Sequence, residues 1–139
     1  MNADFLDSHL RHWEDAEMLS QATPARLANA DHLYGFSAEC GLKWLMIMFG
    51  MRPNPTTGDL EKIDRKHINK IAQRYESYRS GHPLAAAYAL PQSTPFDDWD
   101  VDQRYAHRNG FDPARVRRHR EGAEIIRRLV TQAQMDGLI

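Results

Sequence analysis

Residues 32–45, His32-Leu33-Tyr34-Gly35-Phe36-Ser37-Ala38-Glu39-Cys40-Gly41-Leu42-Lys43-Trp44-Leu45, set an acid and a base four residues apart inside what otherwise reads as a buried helix. On an exposed helix a Glu with a Lys at i+4 is routine and contributes roughly 0.2–0.5 kcal/mol. Here Phe36, Cys40, Leu42, Trp44, Leu45, Ile47, Met48 and Phe49 surround the pair, so at least one of the two charges faces the core. A charge there is costly unless it is paired and hydrogen-bonded. His32, Glu39 and Lys43 fall at i, i+7 and i+11, one stripe of a 3.6-residue helix. Such a stripe needs either a structural partner or a ligand.

The rest of the chain reads as helices separated by punctuated loops. Phe5, Leu6, Leu10, Trp13, Ala16 and Leu19 recur at helical spacing over residues 4–21. Thr23-Pro24 is a cap followed by proline at the first helical position, which predicts a second helix over 24–49 with Gly50 as its stop. Asp59 is a candidate cap for a third helix over 60–78, with Leu60, Ile63, His67, Ile71, Tyr75 and Tyr78 inward. A short helical piece over 84–90 follows. Residues 91–111 are long and irregular, a length that in a compact domain signals function or disorder. Their aromatic residues argue that the segment packs. Asp112-Pro113 repeats the cap-plus-proline pattern, and Val116, His119, Ala123, Ile126, Val130 and Ala133 form the inner stripe of a last helix over 113–135. No stretch alternates like a strand. The chain is therefore expected to be one all-α domain over 1–139, a bundle of four to five helices with a long irregular segment before the last.

Composition narrows the class of protein. With 42% apolar residues and a mean hydropathy of -0.66, the sequence describes a soluble globular chain. No window has the run of apolar residues that a membrane span needs. Nor does Met1-Asn2-Ala3-Asp4-Phe5 open a secretory signal. The single Cys40 forms no intramolecular disulfide and fits a reducing compartment, so a cytoplasmic location is expected. The formal charge of -1 conceals an asymmetry: residues 104–139 hold 8 of the 18 basic side chains, all Arg, against 4 acids. Such a tail suits nucleic acid, a nucleotide or an acidic partner; the alternative is a solvated face laced with salt bridges.

Asp15-Ala16-Glu17, His32-Leu33 through Glu39-Cys40-Gly41-Leu42-Lys43, His67-Ile68-Asn69, and Trp99 followed by Arg104-Tyr105 together resemble a small prokaryotic HEPN domain. HEPN is the nucleotide-binding helical domain of higher eukaryotes and prokaryotes, and the likeness runs over roughly residues 5–135. It implies a four- to five-helix bundle, a homodimer, and a role in a toxin–antitoxin or other defence-type system beside an antitoxin or nucleotidyltransferase partner. Many members of that family are metal-independent endoribonucleases, and others are inactive partners. The nuclease members carry Arg, four to six residues, then His, close to the last helix. Arg104 and His107 here have two residues between them, Arg115 and His119 have three, and the literal match is Arg26 with His32.

Metal-free RNA cleavage needs a base for the 2′-hydroxyl and a cation for the phosphate. His107 with Arg104 supplies those types, and His119 with Arg115 is the second pair. Should two copies pair through the last helix, His119, Arg115 and Arg118 would converge on the two-fold mate. Tyr105 has the ring to stack on a base. In the competing structural reading, Arg104 reaches Glu39 as a buried pair, Tyr105 is a core wedge and His32 is a satisfied helix histidine. The candidate ligand- or RNA-binding set is His32, Glu39, Lys43, Trp99, Arg104, Tyr105, Arg108, Arg115 and Arg118. No cofactor and no metal is expected. Asp97, Asp98, Asp100 and Asp102 lack the calcium loop's glycine and closing Glu, and His9 with His12 has no fixed third ligand. The acidic loop is instead expected to fold over the Arg-rich helix. Two readings result: a nucleotide-, RNA- or partner-binding module, which the absent strict motif favours, or an endoribonuclease using a His/Arg pair.

Overall fold

The computed structural model describes residues 1–91 and 95–138. Among them all regular structure is helical: α1 (Phe5–Gln21), α2 (Leu27–Met48), α3 (Ala72–Arg79) and α4 (Pro113–Met135), with 3-10 turns at Lys62–Asp64, Ala85–Tyr88, Val101–Tyr105 and Arg108–Gly110. None of these helices is long and apolar enough to cross a membrane. α2 is the central element and packs against α1 on one side and α4 on the other. That position explains its composition, because a helix covered on several faces has no use for a wide polar stripe.

Local chemistry sets the outer helices. The Asp4 carboxylate accepts the Asp7 N–H at 2.9 Å and opens α1; Asp112 accepts the Arg115 N–H at 2.8 Å, with Pro113 at the first position of α4. The six stripe residues of α4 are all buried. Gly50, at φ 115°, ends α2 in a left-handed turn closed by Met51 N–H on the Met46 carbonyl at 2.8 Å.

Two boundaries differ from the sequence reading. α2 begins at Leu27 rather than Pro24, because the Arg26 N–H is tied back to the Leu19 carbonyl at 2.8 Å and residues 22–26 become a tight connection. The helix expected over 60–78 is a 3-10 turn, a loop and the short α3. Ile63, expected inside, is 54% exposed, whereas Leu60, Ile68 and Ile71 are buried. Tertiary partners claim this stretch. Asp64 is buried and accepts from Arg74 Nε at 2.7 Å and Tyr78 Oη at 2.6 Å, while His67 reaches Glu39 on α2. A regular helix would align Ile63 with His67 on one face, and the observed loop instead lets Asp64 and Glu39 take these partners.

The long segment packs through its aromatic side chains. Trp99 and Phe96 are both buried and lie on glycines. A Cβ at Gly35 on α2 would stand 2.1 Å from Trp99 Nε1, and one at Gly122 on α4 would stand 2.8 Å from Phe96 Cε2. Side chains larger than hydrogen at either place would push the segment off the bundle.

Glu17 on α1 braces all three long helices. It accepts from Tyr34 Oη at 2.6 Å and from Arg120 Nε at 2.6 Å. Burial pushes its carboxyl up, but hydrogen bonds from Arg120 and Tyr34 and the charges of Arg120 and Arg127 outweigh this and hold it below its ordinary value of 4.5. A depressed carboxylate contributes stability that is complete above the unfolded-state value and lost as pH falls through the folded-state value. Glu17→Gln is therefore expected to cost about 1–2 kcal/mol at pH 7. Urea unfolding at pH 7 and again below pH 4 checks this, with the gap between wild type and variant narrowing in acid.

Candidate functional site

Asp31, on the first turns of α2, is fully buried and organises the polar interior. Its carboxylate accepts from His119 Nδ1 at 2.6 Å, Gln103 Nε2 at 2.8 Å and Arg115 Nε at 3.2 Å. The other His119 nitrogen, Nε2, meets Asp98 Oδ1 at 2.8 Å. Carboxylates only accept, so both ring nitrogens carry hydrogen and both are occupied. The ring also stacks on Phe96, with centroids 5.3 Å apart. Arg115 and Arg118 close on Asp98 as well, at 3.2 and 2.6 Å. Burial pushes the Asp98 carboxyl up, but the hydrogen bond and charge of His119 and the charges of Arg115 and Arg118 hold it below its usual range. The acidic loop thus folds over the Arg-rich helix.

This arrangement bears on the Arg115/His119 pair. His119 is sealed in the interior with no free nitrogen, and Arg115 is spent on two carboxylates, the Asp98 carbonyl and Gln103. His119 therefore faces α2 and residues 95–99 rather than the exposed side of α4.

A groove of about 750 Å³ opens between the start of α2 and residues 103–111. Arg26, His32, Arg104, His107 and Arg108 line it, with Tyr105, Asn29 and Gln103 among the remaining lining residues and no carboxylate. The nearest ion pair is loose: Arg104 stands 3.9 Å from Asp102, and its guanidinium lies over the Tyr105 ring at 4.8 Å. Tyr105 is 76% exposed, so it is not a core wedge. The first turn of α2 lines the groove and carries no side-chain cap.

Hydrogen bonds fix what the two groove histidines present. His107 Nδ1 accepts the Asn109 N–H at 3.2 Å, so its own hydrogen sits on Nε2. His32 Nδ1 is buried without a partner, and a hydrogen there would be wasted, so Nε2 carries it too. The His32 ring stacks on Trp99 at 5.5 Å. Burial first, then the charge of Arg104, lowers its pKa and keeps it neutral. Both histidines offer N–H donors to the groove rather than lone pairs.

Of the residues singled out from the sequence, His32, Arg104, Tyr105, His107 and Arg108 come together in this groove. Trp99 lies beneath His32 as a fully buried support. Glu39 and Lys43 are elsewhere, in a second cluster. Both are buried, at 6% and 8% exposure, and Lys43 Nζ donates to Glu39 Oε2 at 3.1 Å. The second partner of Glu39 is His67 Nδ1 at 2.9 Å, not Arg104. Arg26 joins the groove because it precedes α2, a placement that the Thr23 cap assignment conceals. Asp31 carries no sequence signal at all between Ala30 and His32.

No group of three or more His, Cys, Asp or Glu side chains among the described residues is arranged to hold a metal ion. No family model matches the chain, and neither a curated protein nor a solved structure matches it.

Proposed function

We propose that this chain is an HEPN-like module that binds the phosphates of RNA, or of a nucleotide, in the groove at the start of α2. The observation that carries this is the cationic lining: three Arg side chains and two histidines with no carboxylate among them. Guanidinium groups grip phosphate oxygens in pairs, and an exposed ring such as Tyr105 stacks on an unpaired base. Binding is favoured over cleavage by Arg104 and His107, because the His107 lone pair is spent on its own backbone. The HEPN likeness supports the wider assignment: a cytoplasmic homodimer in a toxin–antitoxin or defence-type system, working with an antitoxin or nucleotidyltransferase.

Fluorescence anisotropy with a labelled single-stranded RNA tests the reading. Three phosphate contacts should give a slope of log K against log salt of about -2. Arg26→Ala, Arg104→Ala and Arg108→Ala should each weaken binding about three- to tenfold, on any sequence, and flatten that slope. Tyr105→Ala should cost about tenfold, with less change in slope. Affinity indifferent to salt and to all three arginines overturns the proposal. Competition by mononucleotide at similar concentration would assign the groove to a nucleotide instead of a strand.

A further inference from the structure

Besides the buried Lys43, every lysine of the sequence lies in one loop. Lys62, Lys66 and Lys70 fall there with Arg65, in the stretch that replaces the helix expected over 60–78. All four residues are exposed, and none is in an ion pair among the described residues. Arg65 gives its Nε–H to the Leu60 carbonyl at 2.8 Å, which leaves its two terminal nitrogens to solvent. The neighbouring acids do not answer this charge. Asp64 is buried and held by Arg74 and Tyr78, and Glu39 is buried and held by Lys43 and His67. Glu61 alone is an exposed carboxylate within residues 60–70. A merely solvated face looks different: on α4 the exposed Arg118 meets Asp98 at 2.6 Å, and Arg128 meets Glu124 at 3.3 Å.

The loop lies outside the groove, and a shelf of rings joins the two. His32 lines the groove, and its ring meets half-buried Phe36 at 4.6 Å. On its other flank Phe36 meets His67, from the lysine loop, at 6.4 Å. The His67 side chain is 47% exposed, and its Nδ1–H on the Glu39 carboxylate at 2.9 Å fixes the ring in place. Fixed, partly open rings between two cationic surfaces are what a single strand needs, since bases stack on rings and phosphates follow charge. We infer that Lys62, Arg65, Lys66 and Lys70 form a second phosphate subsite, reached from the groove across His32, Phe36 and His67. The ligand is then a single-stranded RNA several nucleotides long, not a mononucleotide. Lysine suits such a subsite because a compact charge on a flexible stem follows a phosphate backbone of any sequence. This rests on RNA occupying the groove, as proposed above.

The test is fluorescence anisotropy of the full-length chain with labelled oligouridylates of four and of twelve nucleotides. Wild type is expected to bind the longer strand at least about tenfold tighter, with a slope of log K against log salt steeper by about 2–3. Lys66→Ala combined with Lys70→Ala should weaken the longer strand about tenfold and flatten its slope by about 1.4, while the shorter strand changes less than about twofold. Arg104→Ala should weaken both strands. Arg128→Ala, which removes an exposed cation from α4, should leave both within about twofold. An unchanged affinity of the lysine variant for the longer strand, an equal loss on both lengths, or an equal loss from Arg128→Ala overturns the inference. Any of these with Arg104→Ala still weakening binding leaves the groove proposal standing. Absence of binding to either strand overturns both.

Discussion

Asp31→Ala is expected to cost about 3–5 kcal/mol of folding stability, the range for removing one member of a buried charged cluster. The carboxylate is 0% exposed and takes hydrogen bonds from three side chains, His119, Arg115 and Gln103. Alanine leaves His119 Nδ1 in the interior with a hydrogen and nothing to receive it, and water has no path to replace the lost oxygen. A domain of this size has roughly 5–15 kcal/mol in hand, so the loss is a large share of the total. The melting temperature should fall by roughly 10–20 °C. Asp97→Ala, on the exposed part of the same loop, should stay within about 0.5 kcal/mol. Urea unfolding of the two variants beside wild type decides the matter, and an Asp31→Ala melt within about 2 °C of wild type would refute the cluster as the organiser of the interior.

The second large effect concerns Trp99 and the glycine beneath it. Trp99→Ala should cost about 3–5 kcal/mol, since the indole is fully buried, stacks on His32 and donates to the Asp31 carbonyl at 3.3 Å. Gly35→Ala has a sign that helix propensity alone gets wrong. Alanine is better than glycine in a helix interior by about 1 kcal/mol. In this protein its Cβ would stand 2.1 Å from Trp99 Nε1 and 2.2 Å from Cε2, and a rigid, enclosed indole cannot give way. The single substitution should therefore lose about 2 kcal/mol or more. In a Trp99→Ala background the obstacle is gone, and Gly35→Ala should become neutral or stabilising by up to about 1 kcal/mol. Four melts complete the cycle; equal effects of Gly35→Ala in both backgrounds would show that the close approach carries no energy.

The candidate site was legible in its residue types more than in its grouping. Arg104, Tyr105, His107 and Arg108 are neighbours in sequence, and their common groove follows from a short stretch of 3-10 turns. His32 joins them through the tertiary contact of α2 with that stretch. The polar stripe of α2 is real as a face, yet it serves two sites: His32 turns to the groove, while Glu39 and Lys43 turn to His67. Spacing on one helix cannot say which distant loop each side chain will meet.

What the sequence determined by itself is local. Asp4, Asp112-Pro113 and Gly50 act on backbone groups within a few residues, and the stripe of α4 needs only helical geometry, so those helices and their ends could be read directly. The tertiary structure alone decided the polar interior. Asp31 finds His119 across 88 residues and His67 finds Glu39 across 28, while the Arg26 N–H on the Leu19 carbonyl starts α2 late. Buried charges must be paired, and the free energy of leaving them unpaired exceeds the few tenths of a kcal/mol by which local propensity prefers one backbone conformation to another.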